Sequence, residues 1–452
     1  MKTLLLILSL TSSSALAQIA IRAEHVYTMK PTTKDGKPSY EVIDDGVIVI
    51  KDGKIAEVGS AATVDFPKDF KIITAAVATP GLIDARCTVG VSGIFNQSQD
   101  QDQLERSGPI QPELRAIDAY NPLDPLVEYV RSYGVTTIQT GHAPGEVVSG
   151  QLAIFKTAGN TVDEAVVVPE SAIAVTLSPW AQKGGGKSPG TRAKMIAIMR
   201  DQLLKAQAYK EKLAKADKPD TANDEKKNSS SDAPAANAPA SLDDQPKADD
   251  KSADAKSDKK EKDPPARDLR LEALVRVLDN KVPLIVTANR SQDIDNVLRL
   301  AEEFKLPIIL DSASESYLFI DKLKARKTRV ILHPTMARAY GELENKSFDT
   351  ASKLINAGIP TTIQGGFESY VPKARVILFE AGVAAANGLT QQQALASITI
   401  EAAKILGVDN RVGSIEAGKD ADVALYSGDP LEYTTTCTGV IINGKVVVEK
   451  GR

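Results

Sequence analysis

The sequence predicts an α/β fold built on a closed eight-stranded barrel, because short apolar segments rich in β-branched residues alternate with amphipathic helices. The strand-like segments in the second half of the chain are "VPLIVTA" (282–288), "LPIILD" (306–311), "TRVILH" (328–333) and "IPTTIQ" (359–364). Between the first two, "SQDIDNVLRLAEEF" has apolar residues at helical spacing and begins with Ser291, a good N-cap. Strands that alternate with helices are typically parallel, since the helices supply the crossovers.

Three further strand-like segments lie upstream: "AVATPGLIDA" (76–85), "GVTTIQTG" (134–141) and "SAIAVTL" (171–177). The helix-like segment "DPLVEYVRSY" separates the first two. This number of strand and helix units favours a closed barrel over an open doubly wound sheet, which stays the structural alternative. No glycine-rich dinucleotide-binding motif follows any of the strands.

The two ends of the chain have a different pattern, that of β-hairpins. "DGVIVIKDGKIAEVG" (45–59) places Asp52-Gly53 between two alternating apolar runs, and "GVIINGKVVVEKG" (439–451) does the same with Asn443-Gly444. These dipeptides tolerate the positive φ angles of tight hairpin turns. Both ends together are therefore expected to form one small, composite β-sandwich.

Composition indicates a globular protein with one unusual insertion. The chain has 452 residues, 42% hydrophobic and 25% charged, with a net charge of −4, so we expect neither nucleic acid nor an anionic membrane as a partner. Residues 211–265 are dominated by Lys, Asp, Ala, Ser and Pro. Such a segment buries too little apolar surface to offset its ordering entropy, and we predict a disordered, solvated insertion.

The N-terminus is typical of a secretory signal peptide. "MKTLLLILSLTSSSALAQ" combines a positive start at Lys2, an apolar run and the small-residue sequence Ala15-Leu16-Ala17. We expect residues 1–17 to be removed and the protein to be exported, to the periplasm or out of the cell. The apolar run is shorter than the roughly 20 residues of a transmembrane helix.

Several segments together resemble one family. "DGKIAEVG", "VATPGLIDA", "YGVTTIQTG", "AAKILGVDNRVGSIEAGKDADVALYSGDP" and "VIINGKVV" are similar, in this order, to the imidazolonepropionase-like branch of the amidohydrolase superfamily. The resemblance implies a TIM-type (β/α)8 barrel over residues 79–411, flanked by a composite β-sandwich from residues 18–78 and 412–452. It also implies hydrolysis of non-peptide carbon-nitrogen bonds in small amides or cyclic amides by a metal-bound water.

The residues that hold the metal in that family are replaced in this chain. The family places a His-x-His pair after the first barrel strand, in some members a lysine after the fourth, histidines after the fifth and sixth, and an aspartate after the eighth. The matching positions here are Arg86 and Thr88, then no lysine, then Thr287 and Asn289, Ser312, and Gly365 with Gly366. The chain holds three histidines in all, His25, His142 and His333. We therefore expect no metal cofactor where the family has a divalent ion such as zinc.

Two histidines and several polar residues remain as candidates for a site at the mouth of the barrel. His142 follows the second strand and His333 ends the seventh, so either is a candidate catalytic base. The pocket candidates are Arg86, Thr88, Asn289, Asp311, Ser312 and Glu368. Such a set would suit an anionic or amide ligand. In the structural alternative, Arg86 replaces the charge of the lost metal and pairs with Asp311 or another carboxylate.

Two functions follow from these observations. The resemblance predicts a hydrolase of small amides, while the replaced ligands argue against zinc-dependent turnover and favour a non-catalytic protein. Such a protein would bind a small molecule, or would pair with an intact amidohydrolase as a structural subunit. We also expect a homo-oligomer or such a pairing with a relative, because closed symmetric contacts are the common form of association.

Overall fold

The computed structural model of the protein describes residues 18–34, 36–216, 266–336, 338–366 and 373–450. The predicted signal peptide, most of the predicted disordered insertion (217–265) and the pocket candidate Glu368 lie outside these residues. Those three predictions therefore stay predictions.

The described residues contain fifteen β-strands. In chain order they are β1 (Ile19–Lys34), β2 (Lys37–Lys51), β3 (Lys54–Ser60), β4 (Lys71–Pro80), β5 (Leu82–Cys87), β6 (Val135–Gly141), β7 (Val148–Lys156), β8 (Val166–Thr176), β9 (Leu284–Ala288), β10 (Ile308–Ser312), β11 (Arg329–Leu332), β12 (Thr361–Ile363), β13 (Val423–Tyr426), β14 (Cys437–Ile442) and β15 (Lys445–Val448).

Ten α-helices connect the strands or cover them, within the ranges given above. They are α1 (Pro125–Arg131), α2 (Val162–Ala165), α3 (Arg192–Ala216), α4 (Leu269–Leu278), α5 (Ser291–Phe304), α6 (Ile320–Ala325), α7 (Thr350–Asn356), α8 (Ile377–Ala386), α9 (Gln391–Ser397) and α10 (Ile400–Leu406). Short 3-10 helices cover Ser98–Asp100, Ala116–Asp118, Pro179–Ala181, Ser316–Phe319, Gly341–Leu343 and Ala374–Val376. None of the helices in the described part of the chain has the length and hydropathy needed to cross a membrane.

Strands β5 to β12 form one eight-stranded sheet in sequence order, within a mixed α/β arrangement. One apolar cluster collects side chains from six of these strands, including Ile83 of β5, Ile154 of β7 and Ile331 of β11. A flat sheet would hold such distant strands apart, so the eight-stranded sheet curves around this cluster.

Strand β7 departs from the predicted (β/α)8 pattern. It pairs antiparallel with both β6 and β8, whereas the other neighbouring pairs of the eight-stranded sheet are parallel. The connection from β6 to β7, residues 142–147, contains no helix. A short connection joins antiparallel strands, because a parallel pair needs a crossover of a dozen residues or more. The prediction of a helix after every strand is therefore wrong at this position.

The two edge strands of the eight-stranded sheet, β5 and β12, come close without forming a ladder. Ile83 N–H donates to the carbonyl of Ile398, which lies between α9 and α10, at 2.8 Å. The backbone N–H of Gly365 donates to Oδ2 of Asp84 at 3.2 Å. A helix junction and a carboxylate thus fill the seam where a closed barrel would have strand pairing.

Both ends of the chain join in a single seven-stranded sheet, with the order β15-β14-β13-β4-β1-β2-β3. Asp52, Gly53, Asn443 and Gly444 all have positive φ, as the hairpin prediction requires. The two hairpins meet, since Gly444 N–H donates to Ala421 O at 3.1 Å and Ala421 N–H donates to Gly53 O at 3.0 Å. The expected sandwich is therefore one continuous, folded sheet.

Helix α3 corrects the predicted start of the disordered insertion. The helix continues to Ala216, so residues 211–216 are helical although their composition suggested disorder. The sequence "EKLAKA" consists of strong helix formers, and the buried Tyr209 anchors the helix one turn earlier. Composition alone does not reveal that a packed helix can extend into a charged segment.

Candidate functional site

The candidate residues gather at one edge of the eight-stranded sheet. Arg86 lies near the end of β5, His142 directly after β6, Asn289 directly after β9, Asp311 at the end of β10 and His333 directly after β11. All five are buried. Because parallel strands present their carboxyl ends at the same edge, the sequence spacing brings these side chains to one region.

Arg86 and Asp311 form a buried ion pair at this edge. Nε of Arg86 lies 3.7 Å from Oδ2 of Asp311, and both side chains are about 1% exposed or less. Nη2 of Arg86 also donates to the carbonyl of His142 at 2.6 Å. Asp311 accepts a further hydrogen bond from Gln364 Nε2 at 2.8 Å and one from the Thr287 hydroxyl. Arg86 therefore pairs with Asp311, as the structural alternative from the sequence describes.

Burial lowers the pKa of the Arg86 guanidinium, and the nearby charge of Asp311 opposes that shift. An arginine side chain starts from so high a pKa that it stays protonated. The site therefore contains a fixed positive charge.

Asp84 is a second buried carboxylate, which the sequence interpretation missed. Its Oδ1 accepts the backbone N–H of Arg86 at 3.1 Å, and its Oδ2 accepts that of Gly365. A Cβ at position 365 would lie 2.7 Å from Oδ2 of Asp84, so glycine is needed for this approach. An acidic residue inside the apolar segment "PGLIDA" was the available signal.

Asp84 should make stability depend on pH. Burial raises the pKa of its carboxyl to about 7, above the value of about 3.9 for an unfolded chain. The folded state therefore binds this proton more tightly, and the stabilisation is complete below about pH 4 and is lost as the pH rises towards 7. We expect the free energy of unfolding of the wild type, relative to that of Asp84→Asn, to fall by about 2 kcal/mol from pH 4 to pH 8. This is less than the pKa difference between the folded and unfolded states would give, because the protein interior relaxes around a charge. Urea unfolding of both proteins across this range measures it, and a constant difference would contradict the assignment.

His142 and His333 are both buried and neutral at pH 7. Burial lowers the pKa of each imidazole to about 4, and at His142 the charge of Arg86 adds to the effect. Nδ1 of His333 lies 2.7 Å from the carbonyl of Pro334, so Nδ1 carries the proton and Nε2 is left as an acceptor. The His142 ring packs on Gly150, where a Cβ would lie 2.3 Å from the ring carbon Cδ2.

A cavity of about 760 Å³ opens beside the ends of β10, β11 and β12. Its inner wall includes Ser312, His333, Gln364 and Gly365, and its outer wall includes Trp180, Met336, Tyr340 and Phe379. Of the sequence candidates, Ser312 and His333 thus line the cavity. The other described candidates, Arg86, Thr88, His142, Asn289 and Asp311, are buried outside its lining.

The backbone at Ser312 is strained. Ser312 has a φ of 68° and Ala313 one of 49°, and the N–H of Ala313 donates to the carbonyl of Asp311 at 2.9 Å. This three-residue turn is rare for residues with a side chain and costs free energy. It ends β10 and places Ser312 at the cavity.

Thr88 and Asn289 remain buried without side-chain hydrogen bonds among the described residues. Across the same described ranges, no group of three or more His, Cys, Asp or Glu side chains is placed to hold a metal ion.

Comparison with known proteins finds similarity to amidohydrolases. The model of the amidohydrolase family matches residues 348–448. The chain is 25% identical over 417 residues to amidohydrolase tasK of Hapsidospora irregularis, and 46% identical over 65 residues to the imidazolonepropionase of Shewanella frigidimarina. These matches support an imidazolonepropionase-like member of the amidohydrolase superfamily.

The likeness to these relatives is uneven in extent. The match to the fungal amidohydrolase covers 88% of this chain but 39% of that protein, and the match to the imidazolonepropionase covers 13% of this chain and 16% of that enzyme. A solved amidohydrolase structure from Thermotoga maritima superimposes with a TM-score of 0.78 at 24% identity and covers 96% of this chain and 100% of that one. The amidohydrolase fold thus extends over nearly the whole chain.

Proposed function

We propose that this amidohydrolase-family protein binds a small molecule at the cavity beside β10 to β12 and does not hydrolyse it with a metal-bound water. The proposal takes the curved eight-stranded sheet as a barrel of the TIM type, whose carboxyl-terminal edge carries the site in such folds. The observation that carries it is the buried ion pair of Arg86 and Asp311. Family membership alone does not decide function, because function depends on the residues of the site.

The residues at this edge do not fit a divalent ion. Arg86 lies near the end of the first strand of the eight-stranded sheet and Thr88 directly follows that strand. Asn289 follows the fifth strand, and Ser312 ends the sixth. A guanidinium about 4 Å from a divalent ion is opposed by roughly 8 kcal/mol at an effective dielectric constant near 20. This is comparable with much of the apparent binding energy of a structural zinc site. The positive charge that a metal would supply is already present as Arg86.

Metal content tests the proposal directly. We expect purified protein, dialysed against zinc and then against buffer, to contain less than about a tenth of an equivalent of zinc or manganese by elemental analysis, because neutral imidazoles and carboxylates are not clustered there. Assays on small lactams and N-acyl amino acids should give no turnover that a chelator abolishes. One equivalent of bound metal, or chelator-sensitive turnover, would overturn the proposal.

Metal-independent hydrolysis is the second candidate, and the position of His333 favours it. Its imidazole is neutral and lines the cavity, and its buried Nε2 has no hydrogen-bond partner among the described residues. Burial lowers its pKa to about 4, so it would be a weak base. Turnover that survives the chelator in the assays above would favour this candidate.

Association with an identical chain or with an intact amidohydrolase, and export from the cell, stay predictions from the sequence.

A further inference from the structure

The outer wall of the cavity concentrates exposed apolar side chains. Trp180 is 39% exposed, Met336 50%, Tyr340 71% and Phe379 44%, and all four line the same cavity. Exposed apolar residues scattered singly need no explanation, whereas a group around one opening marks a binding surface.

The inner wall is polar and offers hydrogen bonds without a charge. Ser312 and the neutral His333 line the cavity, and the buried Nε2 of His333 has no hydrogen-bond partner among the described residues. The Gln364 amide, which also lines the cavity, is held by Asp311. Elsewhere the wall carries Arg338, Lys373 and Arg375 together with the carboxylate of Glu380. The cavity is therefore lined by charges of both signs. Its clearest difference in polarity is between the polar inner wall and the apolar outer wall.

We infer that the cavity takes an amphipathic small molecule, with an uncharged polar head at Ser312 and His333 and an apolar body against Trp180, Met336 and Phe379. This inference rests on the proposed binding function and adds the class of ligand. A volume of about 760 Å³ is within the range that holds a whole drug-sized molecule rather than a small polar fragment. Burial of the apolar body supplies most of the affinity, and the head fixes the orientation.

The single tryptophan of the chain reports on this site, because Trp180 lines the cavity. The probes are butanamide, hexanamide and octanamide, which share one uncharged head and differ in apolar length. We expect a saturable change in tryptophan emission and a Kd at least tenfold lower for octanamide than for butanamide, which is about 1.4 kcal/mol. Full burial of four added methylenes would give more, at about 0.8 kcal/mol each.

Matched variants test which wall of the cavity contributes to binding of the amides. Phe379→Ala should weaken octanamide binding about fivefold or more, since it removes part of the apolar wall. Phe95→Ala is the control, because Phe95 is 68% exposed but does not line the cavity. Met336→Ala provides a second variant of the outer wall, and Ser312→Ala should weaken binding of all three amides by a similar factor.

Three results would overturn the inference: equal affinities along the series, no change in tryptophan emission with any amide, or equal effects of Phe379→Ala and Phe95→Ala. The metal analysis is run on the same preparation. Bound metal would contradict the proposed function, regardless of how the amides bind. Metal-free protein that binds all three amides with equal affinity would contradict this inference alone.

Discussion

Arg86→Met is expected to destabilise the protein by about 3–5 kcal/mol, because it leaves the carboxylate of Asp311 buried without its charged partner. The hydrogen bonds to Asp311 from Thr287 and Gln364 remain, but neither neutralises the charge. The variant also removes the donor to the carbonyl of His142. The free energy of unfolding in urea at pH 7 measures the loss.

The double variant Arg86→Met/Asp311→Leu provides the decisive comparison. Replacing both charges with apolar groups removes the cost of a lone buried charge, so the double variant should be more stable than Arg86→Met. Arg22→Met is a matched control at the exposed pair with Asp45 and should leave the unfolding midpoint unchanged. Additive losses in the double variant would mean that the ion pair does not organise the site.

Lys156→Met should have an effect of similar size, about 3–5 kcal/mol, at the joint between the two sheets. The ammonium of Lys156, on β7 of the eight-stranded sheet, is 2% exposed and contacts Asp422 and, at 3.2 Å, Asp420. Both carboxylates lie just before β13 of the seven-stranded sheet. Asp420 also bonds Lys54 at 2.6 Å and Arg411 at 2.8 Å. Lys71→Met, at an exposed pair with Glu449, is the control and should change stability little.

Acid should reduce the difference between the wild type and Lys156→Met. Burial opposes the ionisation of Asp420, but the charge of Lys156, the Lys54 hydrogen bond and the charge of Arg411 outweigh it and hold the pKa below its ordinary value. A carboxyl whose pKa is lowered in the folded state stabilises the protein at pH values above its unfolded-state pKa of about 3.9. This stabilisation is lost as the pH falls through the pKa of the folded state. Urea unfolding of both proteins from pH 7 to pH 3 measures this, and a difference that grows in acid would contradict the assignment.

Sequence patterns predicted the parts of the fold that depend on local signals. Runs such as "VPLIVTA" and "LPIILD" became β9 and β10, and the Asp52-Gly53 and Asn443-Gly444 turns adopted their required positive φ angles. Strand β7 was missed because its segment "VSGQLAIFK" is interrupted by glycine and polar residues, and only its neighbours in space make it a buried strand. Its antiparallel direction follows from a short connection that no periodicity signals.

For the site, the strand pattern indicated that Arg86, Asp311, Ser312 and His333 share one edge of the sheet. The structure has all four at that edge, because the carboxyl ends of parallel strands meet there. It did not separate the residues that line the cavity from those buried behind it. That separation depends on long-range packing, such as the approach of Phe379 on α8 to the end of β11, and on the strained turn at Ser312. Asp84 was overlooked because its partners are backbone groups, one of them far along the chain at Gly365.

The seven-stranded sheet can be completed only late in translation. Strand β4 pairs with β1 on one side and with β13 on the other. Because β13 follows all strands of the eight-stranded sheet in the sequence, the second edge of β4 stays unpaired until that sheet has been translated. An unpaired edge is a template for intermolecular association, and contacts between the ends of a chain form slowly. A nascent or prematurely terminated chain therefore exposes one edge of β4 until residues 423–426 emerge and pair with it.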